Sequence, residues 1–380
     1  MIMKITKPPM GFNTWNTFGS RISDELIRHT ADKIVELGLD KFGYQYVVID
    51  DCWQEKQRDE NGHLVPSKTK FPNGIKPVAD YVHSKGLKFG IYSCVGNRTC
   101  ADYPGSYEYD FIDAEDFAEW GVDYLKLDFC FKPEHDRSDL LYKRMGLALA
   151  NCGRDIVYSA CNWGKDDAKL WMRETGAHLW RTGGDISDVW RSIEGIFEKN
   201  LENVPYNSPT CYNDMDMLTV GMNGEGAQSL GGCTYDEYQT HFAIWCMFAS
   251  PLMIGCDLRK IDDNSLAILK NKEIIDICCD EGCFQPYLTS AIGRSGCKAQ
   301  VWARHLSNGD LAVLMINMTD APTRGFLAFS SMGLNASCGR ALDFKELYTE
   351  NEFLGVKGEF FSDTIPVHGC RIYRAKVRKL

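Results

Sequence analysis

From residue 10 to about residue 256 the chain repeats one unit: a short apolar run ending on polar or charged side chains, then an amphipathic stretch. The runs are Met10–Trp15, Tyr46–Asp51, Lys88–Ser93, Tyr124–Asp128, Ile156–Cys161, His178–Asp185, a weak one before Asp214, and Leu252–Cys256. Their length and composition predict strands. The stretches between them predict helices. Glu25–Leu37 carries Leu26, Ala31, Ile34, Val35 and Leu37 as an apolar stripe before Gly38, and Val78–Ser84, Ala114–Trp120 and Leu140–Leu149 follow the same plan. Seven or eight strand-then-helix units predict a parallel barrel with its helices outside. An open doubly wound sheet is the weaker reading, because no Gly-x-Gly-x-x-Gly opens the first helix.

Barrels of this kind do their chemistry at the C-terminal ends of the strands. There the sequence gathers Trp15, Asp50-Asp51, Tyr92, Lys126 with Asp128, Cys161 with Trp163, Arg181 with Asp185, and Asp214 with Asp216. In Tyr124–Cys130 the two-residue period of a strand puts Lys126 and Asp128 on one face. Asp128 and Asp185 each stand at a strand mouth with a cation nearby, which fits two-carboxylate glycoside chemistry. A single strand-end aspartate is ordinarily a cap or a turn former. A set spread over successive strand ends overturns that reading.

After about residue 285 the pattern changes to short, mostly alternating runs at Gln300–His305, Leu311–Met318, Gly325–Ser330, Leu342–Tyr348, Glu359–Ser362 and Cys370–Val377. Asn308-Gly309 is a turn between the first two. The expectation is α/β, a (β/α)8 TIM barrel over 1–285 followed by a C-terminal antiparallel β-sandwich of Greek-key type over 286–380. The basic stretch Arg374–Lys379 reads as a solvated end.

Partner classes are bounded by composition. Lys+Arg 42 against Asp+Glu 52 gives a net charge of −10, which argues against nucleic acid or an anionic membrane. No run approaches the roughly 18 apolar residues of a membrane span. The N-terminal MIMKITKPPMGFNTWN lacks an apolar core, so no signal peptide and a cytoplasmic location are expected. The 16 cysteines are scattered, and Cys278, Cys279 and Cys283 lack the second half of a zinc site. The histidines are dispersed, and Asp50-Asp51 has no histidine or third acid at ligand spacing. Neither metal nor cofactor is expected.

The motifs Met10-Gly11-Phe12-Asn13-Thr14-Trp15, Ile49-Asp50-Asp51-Cys52-Trp53, Gly90-Ile91-Tyr92-Ser93, Val122–Asp128, Trp180-Arg181 with Asp185-Ile186, and Asn213–Leu218 run in order along the chain. Phe248–Leu252 and Asp257-Leu258-Arg259 extend them. In these the chain resembles the clan-D α-galactosidases of glycoside hydrolase family 27. That resemblance implies an exo-acting enzyme that removes terminal α-linked galactose with retention, Asp128 being nucleophile and Asp185 acid/base. Retention needs the two carboxyls about 5–5.5 Å apart. It further implies that Asp50 and Asp51 read O4 and O6 of the sugar, and that Trp15 and Trp163 wall its C–H face. Arg181 is implied on the O2/O3 side, with Asp216 orienting it. Tyr92, Cys161 and Met217 are lining residues. Lys126 is expected to hold Asp128 ionised, or to pair with it directly.

Cys100 and Cys130 match a pair that the family joins as a disulfide beside the site, and in a cytosolic chain they stand instead as pocket thiols. Cys52 resembles a family half-cystine with no N-terminal partner here. Asn162 replaces a glutamate that abuts the sugar's 2-position, which leaves α-N-acetylgalactosaminidase as the alternative, then β-L-arabinopyranosidase. Both carboxylates are present, which weighs against a non-catalytic sugar-binding barrel. The expected partner is a small-molecule carbohydrate, and homo-oligomerisation is left open.

Overall fold

The computed structural model describes residues 4–289, 295–335 and 337–380. Packing divides the chain into two units. One holds the chain up to Gly232 with Pro251–Ile261, the other Cys233–Ser250 with Asp262–Leu380.

Among the described residues of the first unit, the strands are β1 (Met10–Asn13), β2 (Tyr46–Val48), β3 (Lys88–Cys94), β4 (Tyr124–Asp128), β5 (Val157–Cys161), β6 (Leu179–Arg181), β7 (Tyr212–Asp214) and β8 (Leu252–Ile254). They pair in parallel in the order β7-β6-β5-β4-β3-β2-β1-β8. Just past β7, Leu218 N–H donates to Met253 O (2.7 Å) and Leu218 O accepts Gly255 N–H (3.0 Å), which closes the ring. This is the expected barrel. Most strands are shorter than the runs that predict them. β1 stops at Asn13 because its Oδ1 accepts Trp15 N–H (2.9 Å) and turns the chain into the one-turn helix Trp15–Phe18.

The helix Asp24–Glu36 starts where Ser23 Oγ accepts Leu26 N–H (3.2 Å), with Asp24 and Glu25 meeting its positive end. It buries Leu26, Ile27, Ala31 and Ile34. Val35, expected in that stripe, is 39% exposed, since it lies about 100° around the helix from Ile34. Lys76–Ser84, Asp110–Trp120, Ser138–Asn151 and Trp190–Leu201 follow. Between β5 and β6 stand two short 3₁₀ turns, Ala168–Leu170 and Met172–Thr175. They leave an open groove beside Leu147, Ala150 and Ile156. Along it Lys143 pairs with Glu174 (3.5 Å) and Arg154 with Asp123 (2.6 Å).

The second unit carries β9 (Tyr287–Leu288), β10 (Gln300–His305), β11 (Leu311–Ile316), β12 (Phe326–Ala328), β13 (Arg340–Glu346), β14 (Glu352–Val356), β15 (Glu359–Phe361) and β16 (Cys370–Lys379). Six form the antiparallel sheet β14-β13-β16-β11-β10-β9, and β12 pairs with β15. Val313, Met315, Leu342, Phe344 and Tyr373 from the sheet share a core with Leu327 and Phe360 from the pair. The sequence misses β9 and β14. Gly355 at φ 65 interrupts the alternation in β14. The expected solvated end at Arg374–Lys379 is instead the last part of β16, paired residue by residue with β13 as far as Arg340 opposite Lys379. Exposed basic side chains leave the backbone free to complete a ladder, so charge alone misreads it.

Gly11 lies where β1 crosses β2. A Cβ there would stand 2.2 Å from Tyr46 O and 2.7 Å from Tyr46 Cβ. Gly11→Ala should therefore cost about 1–3 kcal/mol of stability through forced backbone displacement. Urea unfolding of both proteins checks this, and an unchanged midpoint would contradict it.

Candidate active site

β4 delivers Asp128 at its last position, buried to 7% exposure. One carboxylate oxygen, Oδ2, accepts the Tyr92 hydroxyl (3.0 Å), and Oδ1 accepts Phe129 N–H (2.8 Å). Burial raises its pKa to about 6, against the downward pull of Lys126. The expected direct pairing of Lys126 with Asp128 is not what forms. Lys126 Nζ stands 2.8 Å from Asp50 Oδ2. Same-face strand neighbours are about 6.6 Å apart, so the long lysine stem reaches past Asp128 to the end of β2. Burial alone would lower the pKa of this ammonium, but Asp50, foremost among its acidic neighbours, keeps it charged.

Asp50 Oδ2 also accepts Asn13 Nδ2 (2.7 Å), and Asp50 Oδ1 accepts Asp51 N–H (2.9 Å). Asp51 accepts Cys52 N–H (2.6 Å) and Ala101 N–H (2.9 Å). Burial raises the pKa of Asp51. Each carboxylate is thus oriented by backbone donors and keeps acceptor capacity for a ligand hydroxyl.

On the facing wall Arg181, 3% exposed, divides its guanidinium. Nη1 lies 2.9 Å from Asp216 Oδ1, and Nη2 lies 2.9 Å from Asp185 Oδ1. Nη2 also donates to Gly183 O (3.2 Å). Asp185 is 56% exposed at the rim. Partial burial raises its pKa, and Arg181 overrides that and holds it below the ordinary carboxylate range. Asp216 Oδ2 accepts Ile186 N–H (2.8 Å), and Asp216 takes φ 75 with its own N–H on Asp214 Oδ1 (2.8 Å). Burial raises Asp214 to about 6. Asn13 is a support that the sequence reading leaves out of the site, whereas Asp214 is gathered there with Asp216. Asn13 lies two residues before Trp15, and strand periodicity is the signal that could have found it.

Asp128 and Asp185 line one small cleft with Trp15, Asp51, Tyr92, Cys100, Lys126, Arg181, Asp216 and Met217. Cys100 and Cys130 form a disulfide, so the alternative of two pocket thiols is corrected. Its sulfurs lie within 4.8 Å of an Asp128 carboxylate oxygen, and being bonded to each other they offer no thiolate to a metal. Cys52 is buried and unbridged. Beneath the cleft, Cys161 Sγ is 3.6 Å from Arg181 Nη1, and burial pushes its thiol pKa well up.

Two expected sugar contacts fall elsewhere. Asn162 is wholly buried and its Nδ2 donates to Lys165 O (2.8 Å). Trp163 packs edge-on against Phe129 at 5.8 Å, with Lys165 Nζ 4.8 Å over its ring. Neither lines the cleft. β5 ends in a left-handed turn, Trp163 at φ 59 and Gly164 at φ 69, which curls this segment back on itself. Gly164 is required there, because a Cβ would strike Thr182 O at 2.3 Å.

A family model described as alpha galactosidase A matches residues 7–280, and one described as the alpha galactosidase C-terminal beta sandwich domain matches residues 296–375. An alpha-galactosidase of Cyamopsis tetragonoloba is 40% identical over 373 residues, covering 96% of this chain and 85% of its own. Alpha-galactosidase A of Homo sapiens is 37% identical over 373 residues, covering 92% and 83%. The crystal structure of alpha-galactosidase I from Mortierella vinacea superposes with a TM-score of 0.89 at 31% identity, over 98% of this chain and 97% of that one.

Tyr92→Phe removes one donor from Asp128. A hydrogen bond to a charged acceptor contributes about 1.5–3 kcal/mol, and one pH unit is about 1.4 kcal/mol. Losing the donor disfavours the ionised form, so the midpoint of Asp128 should rise from about 6 by about one unit or more. Carbon-13 NMR titration of labelled aspartate reads this, and an unmoved midpoint would show that the hydroxyl does not hold the carboxylate.

Proposed function

The chain belongs to the α-galactosidase family, glycoside hydrolase family 27, and from that membership we propose a retaining, exo-acting α-galactosidase with Asp128 as nucleophile and Asp185 as acid/base. The observation that carries the assignment of roles is the pairing of two carboxylates in unlike settings within one cleft. Asp128 is buried and held by Tyr92 and Phe129 N–H, while Asp185 is half-exposed at the rim. A buried, oriented carboxylate suits attack at C1. A rim carboxylate suits proton delivery to an oxygen that leaves toward solvent.

In the first step Asp128 attacks C1 as the glycosidic C–O bond breaks, and Asp185 gives its proton to the departing oxygen. A β-linked galactosyl ester on Asp128 results. In the second step Asp185 takes a proton from water, whose oxygen attacks C1 and frees Asp128. The short side chain of Asp51, fixed by Ala101 N–H and Cys52 N–H, leaves room for the C6 hydroxymethyl of galactose. Relatives 37–40% identical over nearly the whole chain carry the name alpha-galactosidase, which supports a hydroxyl rather than an acetamide at C2.

The proton inventory is inverted in the free enzyme. Burial lifts Asp128 to about 6, and Arg181 depresses Asp185. The dyad must keep one proton for the first step. Of its two protons, the last is lost near pH 6 and the first below the ordinary carboxylate range. kcat/KM should therefore fall about tenfold per pH unit above about 6. Binding shifts the balance, because sugar hydroxyls that engage Arg181 compete with Asp185 for it and raise its pKa. A kcat/KM profile flat from pH 5 to 8 would refute this account.

Asp128→Ala should abolish turnover of a nitrophenyl α-galactoside, with azide restoring part of it and yielding the β-galactosyl azide. Near-normal activity in that variant would refute the nucleophile assignment. The wild-type enzyme should favour the α-galactoside over the α-N-acetylgalactosaminide by at least about tenfold in kcat/KM, about 1.4 kcal/mol of transition-state binding. A larger value for the acetamido sugar would reassign the substrate.

A further inference from the structure

Residues 223–232 form a loop whose glycines 224, 226, 231 and 232 all take positive φ. One side of it lies on the turn that carries Trp15. Ala227 N–H donates to Thr17 O (3.2 Å), Gln228 N–H donates to Asn16 O (2.9 Å), and a Cβ on Gly226 would meet Asn16 O at 2.8 Å. The other side lies along the segment that follows Asp185. Asp188 N–H donates to Gln228 O (3.0 Å) and Asp188 O accepts Gly232 N–H (2.9 Å). The Asp188 carboxylate, wholly buried, accepts Gly224 N–H at 2.8 Å. Three bonds thus bring the start, middle and end of the loop to one residue, three positions beyond Asp185. The wall bearing Trp15 and the rim bearing Asp185 are joined through it.

Asp185 needs such a tie. It follows Gly183-Gly184, which restrict the backbone least, and within the cleft the one cation paired with its half-exposed carboxylate is Arg181. We propose that Asp188 is a positioning residue for the acid/base step. Through loop 223–232 it holds the Asp185 segment at a set distance from the Trp15 wall, so that a departing oxygen lies within proton reach. The inference rests on Asp185 being the acid/base. A misplacement of about 1 Å costs about 100-fold where proton delivery is required. It costs little where the leaving group departs without a proton.

The test compares kcat/KM, which reports the galactosylation step, on methyl α-galactoside and on dinitrophenyl α-galactoside. Asp188→Ala should lose about 10–100-fold on the methyl substrate and less than about threefold on the dinitrophenyl one. Asp188→Asn, which retains an oxygen for Gly224 N–H, should stay within about threefold on both. Gly226→Ala lifts the same loop from its other anchor and should repeat the selective loss, which keeps the test open if Asp188→Ala does not fold. Equal losses on both substrates, or no loss on the methyl one, would overturn the proposal. Asp185→Ala run alongside separates the two readings. If it loses both substrates equally, the acid/base assignment fails. If it is selective and the Asp188 and Gly226 variants are not, the positioning role alone fails.

Discussion

Six carboxylates converge on two buried cations at the strand ends, and the site depends on how that imbalance is resolved. Asp50, Asp51, Asp128, Asp185, Asp214 and Asp216 surround Lys126 and Arg181. Burying ionised groups without compensation is too costly to tolerate. Lys126 is drawn to Asp50, and Arg181 is shared between Asp185 and Asp216. Asp51, Asp128, Asp214 and Asp216, all deeper in the barrel, hold their protons more tightly than free carboxyls do. Asp185 is moved the other way by Arg181. A polyhydroxyl ligand fits such a site, since its hydroxyls can both donate to carboxylates and accept from the two cations.

The barrel makes this concentration of charge sustainable. Its strands are short and end early, as β1 does at Asn13 and β6 at Arg181. Beyond those ends the backbone turns, and its N–H groups become donors to the acids: Cys52 and Ala101 to Asp51, Phe129 to Asp128, Ile186 to Asp216. Each carboxylate keeps at least one fixed donor, which orients it before a ligand arrives. Such preorganisation is where electrostatic catalysis draws its strength.

The same loops are held from outside the site. The Cys100–Cys130 disulfide ties the segment after β3 to the one after β4 beside Asp128. Loop 223–232 ties the turn after β1 to the segment after β6. Loops with so little regular structure rely on such ties to keep facing side chains at set distances.

Residues that act through their own strand position were legible in the sequence. β4 spans Tyr124–Asp128 and β10 spans Gln300–His305, as the apolar runs predict, because burial pattern and strand period are properties of neighbouring residues. Asp128, Asp185, Arg181 and Asp51 were placed at a common cleft because a parallel barrel sends every strand end to one face. What the sequence could not determine were choices among distant partners. Lys126 takes Asp50 over Asp128, two positions on in its own strand, Arg374–Lys379 completes a sheet, and Asp188 closes a loop from thirty-odd positions away. Each is settled by reach, left-handed turns and unpaired backbone groups that exist only once the barrel and sheet have formed. Local pattern determined which residues face the cleft, and tertiary packing decided which of them hold each other's charge.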